Sequence, residues 1–215
     1  MNIAAKICGL STEAAVTAAA AGGAAYLGFN FYPPSPRAVT AAKAARLCAA
    51  VPAGIARVGL FVDADDDTIR AVLAEAPIDI LQFHGRESPD QVADAKLRFA
   101  RPIMKAVAIA APEDVRGAAQ YEEAADLLLF DAKPPCRPDA LPGGNGLAFD
   151  WGLIAGRSWR RQWMLSGGLT AELLPEAVRI SGAASVDVSS GVESRPGEKD
   201  LDKIRAFLAA ARALG

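Results

Sequence analysis

Hydrophobic and polar positions follow two alternating periods along the chain. Short apolar runs occur at Ile3–Cys8, Ala25–Phe31, Ile55–Val62, Ile78–Phe83, Ile103–Val107, Leu127–Phe130, Gln162–Leu165 and Ser185–Val188. Their length and β-branched or aromatic content predict strands. Between them lie stretches of helical character: Thr12 to about Ala21 ending at Gly22-Gly23, Thr40 to Val51, the acidic run Asp63–Asp67 onward to Glu75, and Pro89 to about Phe99. A segment opening at Ala111-Pro112-Glu113-Asp114, a short one at Phe149–Ala155, an amphipathic one at Leu173–Ile180 and a last with Leu201, Ile204, Leu208 and Ala211 at helical spacing complete the series. Start signals agree: Ser88-Pro89-Asp90-Gln91 is a capping box with Pro at the first helical position, and the Asp63–Asp67 carboxylates suit a positive helix N-terminus.

Eight strands alternating with helical segments predict a single (β/α)8 TIM barrel with a parallel eight-stranded core, one domain over residues 1–215. The rival is a doubly wound open sheet. Glycine placement favours the barrel: a dinucleotide fold carries GxGxxG after its first strand, whereas here the first strand ends in Cys8-Gly9-Leu10 and the Gly-rich turns come late. They are Ser166-Gly167-Gly168 and Ser189-Ser190-Gly191, each following an apolar run. Small side chains there leave backbone N–H groups free to converge on an anion, and the loops after strands 7 and 8 are where barrels commonly bind phosphate. The plain alternative is a pair of tight turns that need Gly only for positive φ. A Pro/Gly-rich loop from Ala132 to Leu147 is long enough to cover a site.

Composition narrows the partner. With 52% hydrophobic residues and a formal net charge of −2, the chain can bury a large core and has neither a nucleic-acid stripe nor a basic membrane patch. Residues 14 to 36 are uncharged but broken by Asn30, Pro33, Pro34 and Pro36, so they do not read as a membrane span. The start, Met1 to Lys6, has no leader pattern, and a cytoplasmic protein is expected. Three cysteines without CxxC spacing and a lone His84 argue against a disulfide framework or a metal cluster.

In a barrel, polar groups at the C-terminal strand ends share one mouth, which singles out Cys8, Asn30, Arg37, Gln82, His84, Asp131 and Asp187 beside the two Ser/Gly turns. Cys8 is a nucleophile, a base or a small core hydrophobe. Asp131 ends the apolar run Leu127–Phe130 and faces the mouth or caps a helix. Arg37, after the stiff Pro33–Pro36 loop, offers a planar fork to a carboxylate or is a solvated charge. His84 is a structural imidazole or pocket wall rather than a proton carrier, and Asp187 meets substrate or orders a loop. Cys48 reads as core, and Cys136 in the long loop has no assigned role.

Seven segments, taken in order, carry a resemblance: Lys6-Ile7-Cys8-Gly9, Gly28–Tyr32 through Ser35-Pro36-Arg37, Gln82-Phe83-His84-Gly85, Phe130-Asp131-Ala132-Lys133, Gly143–Gly146 through Phe149-Asp150-Trp151, Leu165–Leu169, and Val186–Glu193. Together they resemble the phosphoribosylanthranilate isomerases of tryptophan biosynthesis over nearly the whole chain. Phe130 stands where that family often has Leu, and Asn145 where it often has Ser or Thr. The resemblance implies an Amadori rearrangement of N-(5-phosphoribosyl)anthranilate without metal or cofactor, in a monomer or homodimer acting on a small phosphorylated substrate. It implies Asp131 as the acid that opens the ribose ring, Cys8 as the base at C2′, Arg37 at the anthranilate carboxylate, and Asp187 and His84 among the substrate contacts. Phosphate would lie on Gly167, Gly168, Ser189, Ser190 and Gly191. The related isomerisation of histidine biosynthesis, whose family resembles an Asp pair rather than Cys8 with Asp131, and a catalytically inactive phosphate-binding barrel are the rival readings.

Overall fold

A computed structural model describes residues 3–135 and 141–215. Cys136 and part of the Ala132–Leu147 loop lie outside the described residues. Eight strands close into a barrel in chain order: β1 (Ala4–Ile7), β2 (Tyr26–Asn30), β3 (Ala56–Phe61), β4 (Ile80–Phe83), β5 (Ile103–Ile109), β6 (Leu127–Ala132), β7 (Gln162–Leu165) and β8 (Ser185–Val188). Every pairing is parallel, and β1 pairs with both β2 and β8. This closure excludes the doubly wound sheet, which would leave two edges.

The helices α1 (Glu13–Ala21), α2 (Ala41–Ala49), α3 (Asp66–Glu75), α4 (Pro89–Phe99), α5 (Pro112–Ala118), α6 (Leu174–Ser181) and α7 (Leu201–Ala213) fill the connections. Local chemistry starts them where expected. Ser88 and Gln91 form the reciprocal capping box with Pro89 in the first turn, and Asp65 caps α3 by accepting from Thr68 N–H at 2.8 Å. Asp63 does something else: at φ 47° it turns away and accepts the Arg86 N–H at 2.6 Å, tying the β3 loop to the β4 loop. At α5 only half a box forms, because Ala111 has no side-chain acceptor while Asp114 still takes the Ala110 and Ala111 N–H groups. The expected Phe149–Ala155 helix shrinks to a single 3-10 turn at Trp151–Leu153. Beyond β8 the expected loop is a small hairpin, β9 (Glu193–Arg195) with β10 (Glu198–Lys199).

Period-2 alternation divides two apolar layers. Val58, Ile80, Met104, Ala106, Leu129 and Met164 form a separate cluster inside the barrel, while Leu81, Phe83, Leu128, Phe130 and Leu165 belong to the larger layer between sheet and helices. Continuing the inner face of β4 and β6 by one more pleat gives Gln82 after Ile80 and Asp131 after Leu129; the step past the end of β7 after Met164 gives Ser166. The apolar barrel interior thus turns polar at one end, and that end is the mouth.

Candidate active site

A cleft opens at this mouth, lined by groups on or just after β1, β2, β3, β4, β6, β7 and β8 and by Leu141–Leu147 of the long loop. Cys8, Arg37, His84, Asp131, Asp187, Gly167, Gly168, Ser189, Ser190 and Gly191 all line it, so every residue singled out from the sequence for chemistry or binding is brought together. The loop residues do cover the site. Gly143 sits so close that a Cβ there would fall 2.7 Å from Asp131 Oδ2 and 2.8 Å from His84 Nε2. Asn145 folds the loop on itself through Nδ2 to the Leu141 carbonyl at 2.7 Å.

Cys8 follows β1, its N–H donating to Val188 O at 2.9 Å, and is 5% exposed. Gly28 of β2 makes room for it, since a Cβ there would lie 2.9 Å from Sγ. Asp131 is also 5% exposed. It does not cap a helix: its Oδ1 accepts the Ala132 N–H at 2.9 Å, and its Oδ2 lies 3.2 Å from His84 Nε2. His84 is in turn 3.0 Å from Gln82 Nε2 through Nδ1. The loop behind it is pinned by buried Lys105, whose ammonium donates to Gly85 O at 2.8 Å and Glu87 Oε2 at 2.9 Å.

Asp187 is not free in the cleft. On β8 it stands beside Lys6 of β1, and the Lys6 ammonium donates to its Oδ1 at 2.9 Å while Ser166 Oγ donates to Oδ2 at 3.0 Å. Lys6, two residues before Cys8 and fully buried, therefore faces the same interior. Burial works against its charge, but Asp187 and Cys8 outweigh burial and raise its pKa above the ordinary lysine value. A negative charge on Cys8 would meet this cation. Lys6 was missed as a functional group; the only signal was a lysine inside an otherwise apolar run.

Arg37 is 5% exposed, which removes the reading as a solvated charge. Asn30 and Ser35 build the loop that carries it: Asn30 Oδ1 accepts the Tyr32 N–H at 2.8 Å, and Ser35 Oγ accepts from Asn30 Nδ2 and from the Arg37 N–H, both at 3.2 Å. One edge of its fork is already used. Nε donates to Glu193 Oε1 at 2.7 Å and Nη2 to Oε2 at 2.8 Å, while Nη2 also reaches Gly144 O at 3.2 Å. An incoming carboxylate can meet only the remaining edge, next to Gly144.

Glu193 also accepts from Lys199 Nζ at 2.7 Å, and Lys199 donates onward to Ser189 O at 2.8 Å. The β9–β10 hairpin thereby joins the Arg37 loop to the turn after β8. Burial opposes the Glu193 charge, but Arg37 and Lys199 more than offset it and hold the carboxyl below its usual 4.5. A depressed carboxyl contributes stability that is fully present above the unfolded value and lost as pH falls through the lower folded one. Glu193→Gln is thus expected to cost about 1.5–3 kcal/mol near neutrality, and the wild-type advantage should shrink below pH 4.5. Urea midpoints measured across that range check this; an advantage that grew on acidification would contradict the assignment.

The two Ser/Gly turns flank one side of the cleft, but their glycines answer to the chain before any ligand. Gly167, at φ +88°, would place a Cβ 2.8 Å from Ala132 N, and Gly168, at φ +62°, one 2.8 Å from Ala148 N. Gly191 has no positive φ; a Cβ there would run into the Leu169 carbonyl. Branched substitutions at these positions would disturb loop packing as well as any anion. Inorganic phosphate, as competitor and as stabiliser of the folded state, remains the cleaner probe.

The family model described as N-(5′-phosphoribosyl)anthranilate (PRA) isomerase matches residues 5–210. An N-(5′-phosphoribosyl)anthranilate isomerase of Cereibacter sphaeroides is 56% identical over 207 residues, 96% of this chain and 97% of that protein. One from Paracoccus denitrificans is 54% identical, covering 99% of both. The crystal structure of the Thermotoga maritima phosphoribosyl anthranilate isomerase superposes with a TM-score of 0.87 at 33% identity, covering 99% of this chain and 100% of that one. A structure of a phosphoribosyl anthranilate isomerase in complex with reduced 1-(o-carboxyphenylamino)-1-deoxyribulose 5-phosphate superposes at 0.83 with 32% identity over the same shares. By the match along nearly its whole length, the chain belongs to the N-(5′-phosphoribosyl)anthranilate isomerase family.

Proposed function

We propose that the cleft converts N-(5′-phosphoribosyl)anthranilate to 1-(o-carboxyphenylamino)-1-deoxyribulose 5-phosphate, the isomerase step of tryptophan biosynthesis, with the chain as one barrel domain acting as monomer or homodimer. The observation that carries the reading is that Cys8 and Asp131, on strand ends three steps apart around the barrel, line one cleft with both Ser/Gly turns on the arc between them. Asp131 gives a proton to the ribose ring oxygen, the furanose opens to a Schiff base, and Cys8 as thiolate takes the C2′ proton. The resulting enolamine tautomerises to the ketone. Both proton carriers are nearly buried, so the labile open-chain species is handled away from bulk water. The phosphate rests against backbone N–H groups of the turns after β7 and β8, which sets the sugar between acid and base.

Loss of the anthranilate adduct's fluorescence on addition of the protein tests the reading, with the histidine-pathway substrate assayed alongside. Unchanged fluorescence would leave an inactive phosphate-binding barrel; turnover of the second substrate alone would favour the rival isomerase.

The remaining edge of Arg37 meets the anthranilate carboxylate. Arg37→Ala is expected to raise KM about ten- to hundred-fold, the worth of a charge-assisted hydrogen bond, with a smaller change in kcat. Because that variant also strips Glu193 of a partner, it should lower the melting temperature. Adding Glu193→Gln should return part of the stability while KM stays high. If KM followed stability back instead, Arg37 would be a loop anchor and nothing more.

A further inference from the structure

An acid of Asp131's kind must carry its proton on a defined oxygen and aim it into the cleft, and the groups around the carboxyl decide both. Oδ1 is taken by the Ala132 N–H at 2.9 Å, which leaves Oδ2 as the oxygen that can hold the proton. Oδ2 faces His84 Nε2 at 3.2 Å. What the imidazole does there depends on its other nitrogen. Nδ1 lies 3.0 Å from Gln82 Nε2, and Gln82 is fully buried with its Oε1 lacking any partner among the described residues. A buried amide oxygen left without a donor is uncommon.

Resting on the reading of Asp131 as the acid, we propose that Gln82 and His84 are positioning residues that orient its proton. The Gln82 amide N–H donates to Nδ1, so the neutral ring keeps its single proton on Nε2, and that N–H donates to Asp131 Oδ2. With one lone pair of Oδ2 occupied from the β4 side, the carboxyl proton is held on the other side, toward the substrate ring oxygen. The opposite amide orientation would place Oε1 against Nδ1, move the ring proton there, and turn the Nε2 lone pair onto Oδ2. Asp131 would then donate its proton into the barrel wall rather than to the substrate. The amide end turned away from the ring, Oε1 in this orientation, has no partner among the described residues, so the demand at the ring sets the orientation. Gly143, whose missing side chain lets the loop lie 2.7–2.8 Å from Oδ2 and the ring at the Cβ position, leaves no space for a bulkier neighbour to disturb the pair.

His84 is the chain's one histidine, so 15N-histidine labelling yields a single pair of ring signals. The wild-type protein should show a pyrrole-type Nε2 and a pyridine-type Nδ1. Gln82→Glu, which puts an acceptor against Nδ1, should move or add a proton there and lower kcat at least about ten-fold with KM nearly unchanged, part of the range a general acid contributes. His84→Gln, whose amide can still donate to Oδ2, should keep more of kcat than His84→Leu. A wild-type ring protonated on Nδ1 overturns the proposal, as does a Gln82→Glu variant with unchanged ring signals or unchanged kcat. The wild-type spectrum needs neither turnover nor a folded variant. A protein inactive on N-(5′-phosphoribosyl)anthranilate but with the expected spectrum would therefore sink the functional reading and not the ring geometry.

Discussion

Cys8→Ala and Asp131→Asn are each expected to lower kcat by at least ~10²-fold and up to ~10⁴-fold, the usual contribution of a general acid or base. Neither change should unfold the protein. Asn at 131 still offers an oxygen to the Ala132 N–H, and Ala at 8 removes only the sulfur, for which Gly28 had made room. The reduced product analogue, which needs no proton transfer, should bind both variants nearly as well as wild type. The double variant should be little worse than the more damaged single one if ring opening and C2′ deprotonation belong to one sequence. A variant retaining wild-type kcat would remove its residue from the mechanism, whatever its place in the cleft.

Lys6→Met should have the largest effect on stability, about 3–5 kcal/mol, because it leaves the Asp187 carboxylate buried with only the Ser166 hydroxyl as a side-chain partner. Removing both charges as Lys6→Met with Asp187→Asn should recover most of that loss, since a buried ion pair is worth far less than the penalty for breaking it. Urea unfolding of the two variants gives the comparison directly. A Lys6→Met cost below about 1 kcal/mol would mean that Asp187 is not ionised beside it. The single substitution also takes away the cation two residues from Cys8, so its kcat should fall further than that of a neutral core change of equal stability cost.

Much of the barrel was legible because its signals are local. Gln162–Leu165 and Ser185–Val188 stand as strands with the bounds read from the pattern, and the Ser88 capping box stands complete. Each of these depends on side-chain period or on atoms within one turn. The same locality explains the misses. Ala111-Pro112-Glu113-Asp114 resembles a capping box, but Ala has no oxygen to offer. The Phe149–Ala155 segment is too short to nucleate more than one turn on its own. The hairpin at Glu193–Lys199 is anchored by Arg37 and Ser189, neither of which its own sequence can announce.

The gathering of Cys8, His84, Asp131 and the Ser/Gly turns at one mouth also followed from sequence, given the barrel, because parallel strands deliver their C-terminal ends to the same side. Which of these groups hold one another did not follow. Lys6 meets Asp187 across 181 residues and Arg37 meets Glu193 across 156, distances in the chain over which no periodicity carries information. A strand residue's own alternation decides whether it faces the interior. Its partner is decided by the register in which β8 closes against β1 and by the loop that packs above, and those are properties of the closed barrel. The sequence alone therefore determined the fold class and most of the groups at the site, Lys6 excepted. The tertiary structure decided that Asp187 is an ion-pair partner, that Arg37 has one edge left to offer, and that Gln82 stands behind His84.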